Sequence, residues 1–184
     1  MAELVGTAMN FGAFRQSVRS EQLQAVADHW HEARRNRLMP AWRDLRPAAM
    51  RKQLPIVWAY AYDPDTEQFT GRLAGDKITE IFQKNFRGIS IPEAHPREAV
   101  GWVYGLLKRV VTEPALYHYE GQVFRQLERY GSGERIILPL SSDGTEGDGL
   151  LGATEYDLHP GIAVTVTAPA KETEHGFRSR GEPV

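Results

Sequence analysis

Six histidines, an acidic loop and a glycine string are the features of this chain whose residue types can support chemistry. On a helix, His29 and His31 stand about 200° apart, so they do not close on one metal ion. His118 sits alone between Tyr117 and Tyr119, and His95, His159 and His175 have no acidic partner at a recognisable spacing. All are read as ordinary surface or core histidines, and no metal site is expected. Asp143-Gly-Thr-Glu-Gly-Asp148 suggests calcium, but the D-x-[DN]-x-[DN]-G order is missing, and the twelfth position is Thr154 where a bidentate Glu is needed. Gly147-Asp-Gly149-Leu-Leu-Gly152 fits the dinucleotide string G-x-G-x-x-G, with Glu172 twenty residues beyond. That chemistry needs a strand before the glycines and a helix after them. Here a strand follows, so both loops are read as hairpin connections. With no cysteine, no G-x-S-x-G elbow and no lysine in an obviously apolar setting, no catalytic residue is assigned. The chain is not expected to be an enzyme.

The elements that must position these residues are legible from periodicity. Residues 1–19 lack a sustained pattern and are expected to form a flexible arm. Ser20 is a good N-cap, and Leu23, Val26, Ala27 and Trp30 behind it fall at i, i+3, i+4 and i+7, the spacing of a helix that ends in basic Arg34 and Arg35. Pro40 and Pro47 punctuate the connection that follows, with a short helix expected between Ala48 and Leu54 to close a helical segment over 20–54. Ile56 to Tyr62 reads as a strand with Trp58, Tyr60 and Tyr62 on one face and Val57, Ala59 and Ala61 on the other. Neither face is polar, which predicts a sheet covered on both sides, with the Ser20–Arg35 helix or a second copy of the chain as the second cover. A second strand at Phe69–Leu73 and short helical or irregular pieces at 79–82 and 85–89 follow. Val100, Val103, Tyr104, Leu107, Val110 and Val111 then trace one long helical stripe behind Pro96, closed by Glu113-Pro114. Three strands complete the pattern: 116–127, a turn around Gly131-Ser-Gly133, then 134–140, irregular near Pro139, and 150–156. An extra strand at Ile162–Val166 is expected inside a largely mobile tail spanning 159–184.

The chain is 184 residues long with 41% apolar residues, enough for one domain with appendages. Its net charge of −2 gives no global reason to expect nucleic acid. Charge is nonetheless uneven: residues 34–52 carry seven basic side chains against the single acid Asp44, so that stretch is +6 and the remainder −8. A solvated basic face is the expected reading. The start has no basic n-region, and no apolar run is long enough to span a bilayer, so a cytoplasmic location without membrane contact is expected.

The order strand, strand, short helices, long helix, three strands resembles the PAS domain, in particular small stand-alone bacterial PAS proteins. The resemblance rests on the Trp30-bearing helix and its basic linker, on Arg72-Leu-Ala-Gly75, on Phe82 through Gly88, and on Leu138-Pro-Leu140, Asp143-Gly144 and Leu150-Leu-Gly152. The chain departs from that pattern at Asp76, where Thr is usual, and at Gln83-Lys84, where Gly-Arg is usual. The resemblance implies an α+β fold with a five-stranded antiparallel sheet, the short helices and the long helix on one face, and the N-terminal helix packed elsewhere. The domain spans 55–158, preceded by a helical segment at 20–54.

It further implies signal reception through ligand- or partner-dependent protein–protein contacts. With no kinase, cyclase or DNA-binding element in the chain, output is expected to pass through contacts with a homodimer mate or a signalling partner. Trp58, Tyr60, Phe82 and Tyr117 fall on the pieces that would wall a PAS cavity, with Asp76 and Tyr104 as polar handles for a small-molecule ligand. Leu23, Val26 and Trp30 are the candidate homodimer or partner interface. No cofactor is evident. The alternative is a small α+β enzyme or ligand carrier with its pocket between the long helix and the sheet.

Overall fold

The computed structural model describes residues 11–125, 129–160 and 171–176. Helix α1 (Phe11–Ser17) and helix α2 (Glu21–Arg34) open the chain. Ser20 caps α2, its Oγ accepting from the Leu23 amide at 3.1 Å. Short 3-10 turns at 42–44, 47–50 and 54–56 lead into strand β1 (Val57–Asp63), which pairs with β2 (Gln68–Ala74). Helices α3 (Asp76–Phe82), α4 (Ile91–Ala94) and α5 (Arg97–Thr112) follow, then β3 (Ala115–Arg125), β4 (Arg129–Leu140), β5 (Gly149–Pro160) and β6 (Lys171–Gly176). All strand pairs are antiparallel, in the order β2-β1-β5-β4-β3-β6. Among the described residues no helix is long and apolar enough to cross a membrane.

The two apolar faces foreseen for β1 each have a cover. Trp58, Tyr60 and Tyr62 join Tyr117, Ile137 and Leu150 in a core closed by Val103, Leu107, Val110 and Val111 of α5. On the opposite face Val57, Leu116, Ile136, Leu138 and Leu151 pack against α1, α2 and the turns behind them. The period of two along each strand sorts these residues into the two cores. Each fully buried Leu, Val or Phe is worth about 1.5–3 kcal/mol of transfer free energy.

Several sequence expectations need correction. The flexible arm is built in part: α1 lies within it, with Phe14 0% and Val18 1% exposed in the core beneath α2. Leu23, Val26 and Trp30 are not an interface, since all three are 0% exposed inside the chain's own fold. The second cover is thus α2 of the same chain, and nothing of that apolar stripe is left for a partner. Gly131-Ser-Gly133 is not a turn but the body of β4, with Gly133 facing Gly121 and Gly131 facing Phe124. A Cβ at Gly133 would lie 2.0 Å from the Glu155 carbonyl oxygen, so glycine serves close strand contact there. Pro139 keeps register with Leu150, and its carbonyl accepts the Trp30 indole N–H at 2.8 Å. The strand expected at Ile162–Val166 lies outside the described residues. A sixth strand, β6, instead adds to β3 from within the segment expected to be mobile.

The basic stretch is partly self-satisfied. Arg34 donates to the Arg37 carbonyl, while Arg37 pairs with Asp44 and donates to the Ala33 and Arg34 carbonyls. These arginines close the C-terminus of α2, where cations oppose the negative end of the helix.

Candidate functional site

The site is a narrow cleft between the inner face of the sheet and helices α3–α5. Its walls are Trp58, Tyr60, Phe82, Phe86, His95, Trp102, Val103, Leu106, Leu107, Phe124, Arg135 and Ile137. The cleft offers about 30 Å³ to the centre of a water molecule, room for one or two waters, within about 430 Å³ of interatomic space that includes its open mouth. The enclosed slot is therefore small. Rings meet edge to face around it: Trp58 with Tyr60 at 6.0 Å, Tyr60 with Phe86 at 4.9 Å and Phe82 with Phe124 at 6.0 Å.

Three polar groups break the apolar wall. Arg135 comes from β4 and lies between aromatic rings, its guanidinium carbon 5.1 Å from the Phe124 centroid and 6.0 Å from that of Trp58. Its Nε donates to Thr154 Oγ1 at 3.0 Å and its Nη2 to the Val123 carbonyl at 2.7 Å. The same Thr154 oxygen accepts the Trp58 indole N–H at 3.0 Å, so one hydroxyl fixes both side chains. Among the described residues no carboxylate pairs with Arg135. Burial pushes its guanidinium down to about 10, which leaves it charged at neutral pH.

Tyr60 is 2% exposed, and its hydroxyl has no hydrogen-bond partner among the described residues. Burial raises its pKa, so it stays a neutral donor. His95 packs edge to face on Phe82 at 5.4 Å. Burial, with the Arg135 charge second, pushes its imidazole down to about 4.

That last shift carries a stability prediction. Unfolded histidine takes a proton below about pH 6.5, whereas folded His95 resists one until about pH 4. The unfolded state therefore binds more protons in that window, and folding weakens as pH falls through it. Urea unfolding should show up to about 3 kcal/mol lost between pH 6.5 and 4 from this group, absent in His95→Phe. An equal pH slope in the variant would assign the loss elsewhere.

The residues singled out from sequence divide. Trp58, Tyr60 and Phe82 line the cleft. Tyr117 is 1% exposed in the same core but does not line it. Tyr104 is half-buried to one side, its hydroxyl donating to the Glu67 carbonyl at 3.0 Å. Asp76 is exposed in the first turn of α3, where a solvated carboxylate suits the positive helix end, so neither polar handle reaches the cleft. The groups that do so, Arg135, His95 and Trp102, were not foreseen. One signal was available for Arg135, because it shares a strand face with Ile137 and immediately precedes the apolar run Ile136-Ile-Leu138.

A second polar cluster lies on the other face of the sheet. Glu134, 8% exposed, accepts from the Arg19 amide at 2.9 Å and the Ser20 amide at 2.6 Å, ahead of the first turn of α2. His118 Nε2 lies 3.1 Å from the same carboxylate, and Ser20 Oγ donates to Glu155. His118 thus has an acidic partner after all. Its register partner is Ile136, which puts Glu134 diagonally across on the same face, a relation that linear spacing conceals.

A twisted antiparallel sheet in the order β2-β1-β5-β4-β3, with helices over one face enclosing an aromatic slot, defines an α+β module built around a small internal cleft. A family model described as a PAS domain matches residues 18–155, and the chain belongs to that family. PAS domains are in general sensory and regulatory modules. No curated protein and no solved structure matches the chain.

Proposed function

We propose that this PAS domain is a cytoplasmic sensory or regulatory module in which a small molecule in the cleft alters how α1 and α2 sit on the sheet. That change alters the surface offered to a signalling partner or to a second copy of the chain. The observation that carries this reading is the alternation along two paired strands. Arg135 of β4 and Thr154 of β5 are register partners bonded to each other on the cleft side, while their neighbours Glu134 and Glu155 are register partners on the helix side, both bonded to the start of α2. One strand pair is therefore shared by the slot and by the clamp on the N-terminal helices.

A ligand shifts an equilibrium only by its differential affinity for the two states. The unpaired Arg135 charge and the idle Tyr60 hydroxyl are groups whose environment an occupant changes. Among the described residues no hydrogen bond joins His95, Tyr60 and Arg135 into a proton relay, which favours binding over catalysis.

Hydrogen exchange tests the coupling. With phenol added until Trp58 and Phe124 resonances shift, amides of Glu21–Arg34 should change their exchange rates. An occupied slot with unchanged exchange in α2 would remove the sensory reading and leave a passive carrier.

A further inference from the structure

We infer that the slot takes a small monoanionic carboxylic acid with a flat apolar body, its carboxylate on Arg135 and its body between the rings of Trp58, Phe124 and Trp102. This rests on the sensory reading above and adds the chemical class of the ligand. Arginine has five N–H donors in a planar fork suited to carboxylate, and among the described residues only two bonds from Arg135 are taken. A charge lined by rings and facing no acid among the described residues is a costly arrangement that an anionic occupant relieves. The Tyr60 hydroxyl, idle in the closed slot, becomes a second donor when the slot opens to admit the acid.

The number of charges selects among anions. His95 is neutral above about pH 4, which leaves Arg135 as the one cation on the wall. One negative charge balances it, whereas a phosphate dianion would leave an excess negative charge in an apolar enclosure. The lining selects the body, since a wall of ring edges and faces stacks on a planar apolar group more readily than on a bulky aliphatic one. Trp102 supplies the entry. It lines the slot from α5 yet is 57% exposed, so swinging it outward sacrifices little packing.

Benzoate is the probe, with benzyl alcohol as its neutral counterpart and inorganic phosphate as the anion without a body. Binding is read from ring resonances of Trp58 and Phe124 by titration. Wild type should bind benzoate at least about tenfold more tightly than benzyl alcohol, because hydrogen bonds to charged groups are the strong ones. Arg135→Gln should lose that preference while keeping benzyl alcohol affinity. Tyr60→Phe removes one oxygen without altering ring shape and should weaken benzoate about three- to tenfold, which secures the test should Arg135→Gln fail to fold. Equal binding of benzoate and benzyl alcohol, phosphate binding as tight as benzoate, or an unchanged benzoate affinity in Tyr60→Phe together with Arg135→Gln overturns the acid assignment. If either compound still alters α2 exchange, the sensory reading survives that result. Failure of both aromatic compounds to enter the slot overturns both.

Discussion

Trp30→Ala lowers the unfolding free energy by about 3–5 kcal/mol, the range for emptying a buried aromatic site. Trp30 is 0% exposed and packs with Leu23, Met39, Leu138 and Leu140 beneath α2. Its indole N–H also satisfies the carbonyl of Pro139 at 2.8 Å, and removing the donor strands that buried acceptor. Since a domain is stable by only about 5–15 kcal/mol, the variant should unfold at much lower urea, with its slope little changed. Trp30→Phe keeps most of the ring volume and should cost about 1–3 kcal/mol. A loss below about 1 kcal/mol in Trp30→Ala would mean that the ring contributes little to the core beneath α2. The same burial explains why an exposed docking stripe, the natural reading of Leu23, Val26 and Trp30 in sequence, does not exist: the chain covers it with its own sheet.

Gly152→Ala is expected to be nearly as damaging, and to strike the slot itself. Trp58 and Gly152 are register partners on β1 and β5, and the indole lies over the glycine. A Cβ there would stand 2.2 Å from Trp58 Cε2 and Cζ2, well inside contact distance. Either the ring leaves its place, breaking its 3.0 Å bond to Thr154, or the strands part. Overpacking of this kind costs about 1–3 kcal/mol, and the upper end applies because ring and backbone are both held. Unfolding in urea and Trp58 fluorescence report the two consequences separately. Trp58→Leu alone empties part of the slot wall, but combined with Gly152→Ala it should recover stability relative to the glycine variant. Strict additivity of the two changes would show that ring and methyl do not meet.

What could be read in advance was what repeats. The apolar stripe of α5, the doubly apolar β1 and the order of strands are local patterns, and the sheet and its two cores follow from them. Helix α1 and the residue after it had the same signal, since Phe11, Phe14 and Val18 fall at i, i+3 and i+7, but the helix's shortness concealed it. The glycines of β4 were misassigned because glycine marks turns and close strand contacts alike, and only the Glu155 backbone beside Gly133 distinguishes the two. The site was less legible. Its aromatic wall was visible residue by residue, but His95, Trp102 and Arg135 come from a loop, a helix flank and a strand that only tertiary packing brings together. Asp76 and Tyr104 were chosen for chemical type, and solvent and the Glu67 carbonyl hold them instead.

The adjacency of Glu134 and Arg135 also restricts how this gene can change. Because side chains alternate strictly along a strand, a one-residue slip in the register of β4 that carries both residues with it would exchange the two roles. A carboxylate would then enter the slot, and a guanidinium would press against the positive start of α2, reversing the sign presented at both places. A length change that slips this register is therefore tolerated only in steps of two residues, or where a bulge absorbs the odd one.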